Sequence, residues 1–353
     1  MGESKPEKKR VTLRDVAAEA GVSLKTASNV INNGGRMSEA TREKVRRTID
    51  RLGYRVNVAA RNLNRGTTGF ITLAVPSLTA PYLAELANHV IDAARGHGYS
   101  VYVTTYAEGS AQGARSLLRN FNTTVSDGMI LSISEVEDLD PEDLAVDYPL
   151  VCVGARSTNG KADHVTPDDI QAARSASEYL LAHGATRLAV VGSRTDPHDI
   201  GQVASAVDGN AQLRLRGVLE ACAEYGIEFD SRLAPNSGQD WTIGSGARIM
   251  QRIIDSAVPF DGVVAFNDQL ALGSLFTLAS NGIAVPGQVQ VIGFDNIEEA
   301  AYFQPPLTTM DSCLDWVAPT VVDRLLARID GGDMKPSLIT TESRVIARAT
   351  TRM

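Results

Sequence analysis

Between Ser23 and Asn32 the chain sets Leu24, Lys25, Thr26, Ser28 and Asn29 beside an apolar stripe of Ala27, Val30 and Ile31. Hydroxyl, amide and ammonium groups on the outward side of one short helix are donors and acceptors that match base edges in a major groove. Arg14, Thr26, Arg36, Lys44 and Arg51 suit phosphates instead. The charge is distributed to match. Residues 1–66 hold 15 Lys+Arg against 7 Asp+Glu, and the remainder 19 against 35, in a chain of net charge −8. A basic module on an acidic body binds a polyanion through the module alone, and double-stranded DNA is the polyanion a helical reader fits.

Groups for enzymatic chemistry are not assembled in this way. His89, His97, His164, His183 and His198 show no HxxxH spacing. Gly160-Lys161-Ala162 lacks the spaced glycine and following Ser/Thr of a phosphate loop, and Gly244-Ser245-Gly246 lies in a helical stretch rather than at a nucleophile elbow. A glycosidase using Asp268 and Asp295 is the residual catalytic reading. The expectation is no enzyme, no metal and no cofactor. Cys152, Cys222 and Cys313 are scattered thiols without metal or disulfide spacing. Residues 1–10 are charged without an apolar core, and no run approaches a membrane span, so a cytoplasmic protein with no membrane partner is expected.

The elements that must position the reader are three short helices. Thr12 and Asp15 form a capping-box-like start, Leu13, Val16, Ala17 and Ala20 share one face, and Gly21 ends the helix. Ser23 caps a second helix. Asn33-Gly34-Gly35 breaks it, Ser38 caps a third with Val45, Ile49 and Leu52 inward, and Gly53 closes that one. This spacing predicts a helix-turn-helix domain over 11–56, after a disordered basic tail at 1–10. Residues 57–67 follow, with apolar Val58, Ala59 and Leu63 and basic Arg61 and Arg65; so short a helix is marginal in water and suits a segment that orders on docking. Beyond Phe70, runs such as 70–75, 100–105, 127–133, 149–154, 187–192, 261–266 and 289–294 read as buried parallel strands alternating with helices, an α/β class. Asp127-Gly128 and Asp261-Gly262 hold analogous places and suggest two similar lobes.

The string Thr12-Leu13-Arg14-Asp15-Val16-Ala17, Ala20-Gly21-Val22-Ser23, Thr26, Ser28-Asn29-Val30-Ile31-Asn32, Ser38, Thr41-Arg42, Val45 and Leu52-Gly53-Tyr54 resembles the LacI/GalR family of bacterial transcription regulators, and the likeness extends over nearly the whole chain. It implies DNA contacts from Thr12, Leu13, Ser23, Leu24, Lys25, Thr26, Ser28, Asn29 and Asn32, with Leu24, Lys25 and Asn29 on bases. It also implies a hinge helix with Asn57, Ala60 and Leu63 in the minor groove, Leu63 wedging between base pairs; Val56 stands where family members commonly have proline. The body resembles periplasmic sugar-binding proteins of the first type: two lobes with parallel sheets, three crossings, ligand in the cleft. The expected partition is about 68–166 with 297–323 for the N-lobe, and about 167–296 with 324–353 for the C-lobe.

Family pocket positions fall on Ser77, Tyr82, Arg156, Arg214, Trp241, Asn267 and Asp295, with Asp268 beside Asn267. A carboxylate accepting two hydroxyls, an arginine and an asparagine donating, and an indole stacking on a pyranose face make a sugar site. Each has a plain alternative: Trp241 in the core, Asp295 and Asp268 as helix caps, Arg156 in a surface ion pair. Asp168 is expected to organise a lobe crossover. The resemblance implies a repressor that binds a palindromic operator as a homodimer and is released by a carbohydrate effector; a purine-like corepressor is the alternative, with Trp241 stacking on a base. No heptad leucines follow Arg344–Met353, which favours a dimer over a tetramer.

Overall fold

The computed structural model describes residues 11–31, 34–54, 67–106, 111–134, 139–332 and 334–352. The expectations for the tail 1–10, for Asn32 and for Asn57, Ala60 and Leu63 of the hinge lie outside the described residues. The chain divides into two compact units, Met1–Thr68 and Gly69–Met353.

The first unit holds α1 (Leu13–Ala20), α2 (Leu24–Ile31) and α3 (Glu39–Leu52). Their ends form where the caps predict. Thr12 Oγ1 accepts from Asp15 N while Asp15 Oδ2 accepts from Thr12 N at 2.8 Å, satisfying two otherwise unpaired donors reciprocally. Gly21 takes the left-handed conformation (φ 62°) that ends α1 and starts the turn, and Ser23 Oγ accepts from Thr26 N at 3.1 Å. Val16, Ala17, Ala20, Ala27, Val30 and Val45 make the buried core. Arg51 ties α3 to α1 through Glu19 at 2.6 Å, so this arginine, expected on a phosphate, has a partner within the unit.

The second unit runs β1 (Phe70–Val75), α4 (Pro81–Gly96), β2 (Ser100–Thr105), α5 (Ala111–Arg119), β3 (Met129–Ser132), β4 (Leu150–Val153), β5 (Asp163–Pro167), α6 (Asp169–Ala182), β6 (Leu188–Val191), α7 (Asn210–Glu224), α8 (Ile243–Asp255), β7 (Gly262–Ala265), α9 (Asp268–Ser280), β8 (Gln290–Asp295), α10 (Glu298–Tyr302), β9 (Thr308–Asp311), α11 (Leu314–Ile329), β10 (Leu338–Thr341) and β11 (Val345–Ile346). These strands form two sheets, ordered β10-β5-β4-β3-β1-β2 and β11-β9-β8-β7-β6, parallel throughout except that β11 pairs antiparallel with β9. Strands β3, β4, β6 and β7 are buried along their whole length, as continuous apolar runs require. β2 differs: it is an edge strand with Ser100, Tyr102 and Thr105 exposed, so its apolar residues cover one face only.

The two Asp-Gly pairs do the same work in each lobe. Asp127 Oδ2 accepts from Gly69 N at 2.9 Å just ahead of β1, and Asp261 accepts from the backbone N of Thr186 and of Arg187, each at 2.8 Å, just ahead of β6. A Cβ on Gly128 or Gly262 would meet Leu325 Cδ1 at 2.9 Å or Leu188 Cδ2 at 2.7 Å.

The expected lobe partition needs correction. Residues 297–311 do not belong with the first lobe, because β9 is hydrogen-bonded to β8 in the second sheet. Residues 324–341 do not belong with the second: β10 pairs with β5 in the first sheet, and Val321, Val322 and Leu325 of α11 are buried in the first lobe's core. The chain therefore crosses between lobes after β5, after β9 and after β10.

Candidate nucleic-acid interface and ligand cavity

On α2 the buried stripe turns Leu24 and Lys25 to solvent, Leu24 being 45% exposed, while Thr26, Ser28 and Asn29 are half-buried. Among the described residues, neither Leu24 nor Lys25 belongs to the unit's apolar core. Asn29 is held from behind: a Cβ on Gly35 (φ 78°) would stand 2.5 Å from its Nδ2. The hydroxyls of Thr12 and Ser23 are engaged as caps, and half-buried Leu13 packs on the core. Arg14, Arg36 and Lys44 are exposed.

Between the two lobes of the second unit lies a cavity of about 260 Å³. Tyr82, one residue into α4, reaches it from the first lobe, and Arg214, Trp241, Asn267 and Asp295 reach it from the second. Five of the seven expected positions thus line one cavity. Arg214 Nε donates to Asp169 Oδ1 at 2.6 Å and Nη1 donates to Phe266 O. Burial pulls the Arg214 pKa down, but the carboxylates of Asp169 and Asp295 outweigh it and hold the value above the ordinary one. Burial, and then the charges of Asp295 and Asp169, push the Tyr82 phenol up, so it stays a neutral donor. Asn267 caps α9 through Oδ1 on Leu270 N at 2.8 Å and donates Nδ2 to Trp241 O at 3.1 Å, which makes it a brace for the wall.

Trp241 sits edge-on to Phe266 with ring centroids 6.1 Å apart, and the Arg194 guanidinium carbon lies over its ring at 4.8 Å. Asp295 has φ 102° and Asn296 φ 57°, left-handed values that residues other than glycine adopt only when surroundings dictate them. The surroundings are visible. Arg348 Nη2 donates to Asn296 Oδ1 at 2.6 Å, and the fully buried Asp268 accepts from Ile297 N at 3.0 Å and from Thr309 Oγ1 at 2.6 Å. Burial, then the Asp295 charge, push the Asp268 carboxyl well above the usual range. Asp268 therefore braces the loop behind Asp295 and lies off the cavity wall, which removes it from the carboxylate pair of the glycosidase reading.

Two expected residues stand elsewhere. Ser77 turns to Thr79, its Oγ 2.8 Å from Thr79 Oγ1, and Thr79 lines the cavity in its place. Arg156 pairs with Asp208 at 3.7 Å in a separate recess with Pro141 and Asn159; Ser157 N also donates to Asp208, so the loop after β4 is fastened to the segment before α7. Asp168 caps α6 at the first crossover, and its neighbour Asp169 is the group that lines the cavity. Asp169, Arg194, Asn210 and Ser343 were missed. For Asp169 the tandem Asp168-Asp169 was a usable signal; Arg194 sits in a stretch without periodicity. Among the described residues no cluster of His, Cys, Asp and Glu could hold a metal ion, and no helix is long and apolar enough to cross a membrane.

Comparison with known proteins gives a consistent picture. The profile of bacterial regulatory proteins of the lacI family matches residues 12–57, and that of a periplasmic binding protein-like domain matches residues 177–351. A LacI-type transcription regulator from Bifidobacterium animalis subsp. lactis is 33% identical with a TM-score of 0.75, covering 80% of this chain and 100% of its own. The lac repressor dimer bound to operator and the anti-inducer ONPF is 26% identical (TM-score 0.81; 98% of this chain, 100% of its own). The complex of transcriptional regulator CelR with cellobiose is 28% identical (TM-score 0.70; 97% and 100%).

Proposed function

The chain belongs to the LacI family of bacterial regulatory proteins, and from that premise we propose that it is a repressor which binds a roughly palindromic operator as a homodimer and lets go when a sugar or glycoside fills the interlobe cavity. The observation that carries this reading is the pairing, in one polypeptide, of an outward Leu24-Lys25 face with a cavity walled by Tyr82, Asp169, Arg214 and Asp295. Carboxylates, a guanidinium and a phenol around a small cavity suit vicinal hydroxyls. The operator-bound dimer and the cellobiose complex are properties of the similar proteins, and they support the same assignment here.

Two-fold symmetry supplies two α2 helices to two half-sites. Leu24, Lys25 and Asn29 read bases, Thr26 and Ser28 set register on phosphates, and Asn57, Ala60 and Leu63 act in the minor groove. Regulation needs no catalytic step.

The test is to select binding sites from a random duplex library with the full-length protein and footprint the winner, then titrate neutral sugars into the complex. Recovery of an inverted repeat, released by one sugar class, is the expected result. A chain without sequence preference, or one whose residues 69–353 hold the same site equally well, overturns the reading.

A further inference from the structure

The wall that suggests a sugar contains one arginine whose place that reading does not use. Arg194 follows β6, lines the cavity, donates Nη2 to Gln239 O at 3.0 Å and places its guanidinium carbon 4.8 Å from the centre of the Trp241 ring. Phe266 meets the same indole edge-on, and Arg214 stands 5.9 Å from its centre. The Trp241 Nε1–H is buried and has no hydrogen-bond partner among the described residues. Arg194 thus lies over the indole ring within the cavity wall, and a guanidinium backed by an aromatic ring is held in place and presents a planar set of donors.

We propose that Arg194 is a specificity-determining residue of the effector cavity: it covers Trp241, so this wall meets the ligand with N–H donors aimed at acceptor oxygens and not with a stacking surface for an apolar sugar face. The proposal rests on the interlobe cavity being the effector site and deepens it. The preferred effector presents hydroxyl, ring or acidic oxygens on the side nearest Arg194. A ligand that binds chiefly by stacking an apolar face is disfavoured, because it must displace a cation from the ring and strip its donors of partners.

Two measurements on the full-length protein test it. With Trp316→Phe the remaining tryptophan is Trp241, since the chain has two. Arg194→Ala in that background is expected to raise the acrylamide quenching constant of Trp241 on the order of twofold, with Arg194→Lys in between. Equal constants in all three overturn the proposal.

Thermal-shift titrations of otherwise native protein with glucose, galactose, cellobiose, glucuronate and a phenyl glucoside form the second arm. Arg194→Ala is expected to weaken the best ligand about tenfold and to improve the phenyl glucoside relative to it. Unchanged affinities and rank order also overturn the proposal. If no member of the set binds the unsubstituted protein while quenching still rises, the carbohydrate reading fails and the covered indole stands.

Discussion

Lys25 and Lys44 are both exposed lysines of the first unit, yet they are expected to behave differently on DNA. Lys25 stands on the outward face of α2, so Lys25→Ala is expected to relax preference at one base position and to cost about 1–3 kcal/mol on the selected site alone. Lys44→Ala on α3 is expected to weaken all sequences alike and reduce the salt slope by about one. Indistinguishable site profiles and salt slopes would remove both roles. Asp268 gives a prediction of another kind. Its carboxyl, raised above 3.8 by burial, keeps a proton in the folded protein that the unfolded chain releases, so this residue's contribution falls as pH climbs above 3.8 toward the folded-state value. Asp268→Asn is expected to flatten that decline, which amounts to at most about 1.4 kcal/mol per pH unit, in urea midpoints taken at rising pH. Parallel pH profiles count against it. Side chains such as Asp295 and Arg214 could be picked out in the sequence through the family resemblance, and both line the cavity. Arg156 could not be placed, since a loop residue's direction depends on where Asp208, far along the chain, comes to rest.

Among the elements, α8 and α9 show what two unobtrusive glycines accomplish. A Cβ on Gly246 would lie 2.3 Å from Leu270 O and one on Gly273 2.0 Å from Ile243 O, so the two helix backbones touch at reciprocal points. Gly273→Ala is expected to destabilise the second unit by about 1–3 kcal/mol, with Gly201→Ala, which has open space, close to neutral in the same melts. The Gly244-Ser245-Gly246 run, weighed in the sequence as an enzyme motif, thus has a packing role at Gly246. Helices of the first unit were legible to within a residue or two because caps and stripes are local. Strands β9 and β10 were not: TTMD and LITT are short and polar, and their sheet membership depends on partners at the far end of a crossover.

For the whole molecule, the proposed reading face and the proposed effector cavity lie in separate units of one chain, so regulation as proposed requires a thermodynamic linkage between them. If effector lowers operator affinity by some factor, operator must lower effector affinity by the same one, commonly worth about 1–3 kcal/mol. Titrating effector into free and operator-bound protein measures this, and equal affinities would show that no coupling exists. Deleting residues 1–68 is expected to leave a folded unit whose effector affinity equals that of the DNA-free chain. The order of the last strands has a consequence for biosynthesis. β10 completes the first sheet, β11 extends the second, and Thr350 exchanges hydrogen bonds with Val291 of β8 through both its backbone and its hydroxyl. Neither of the two described sheets has all its strands until residues 338–346 have been synthesised, so the last two strands must dock onto partners made long before them, and a premature stop after Ile329 should cripple both halves at once.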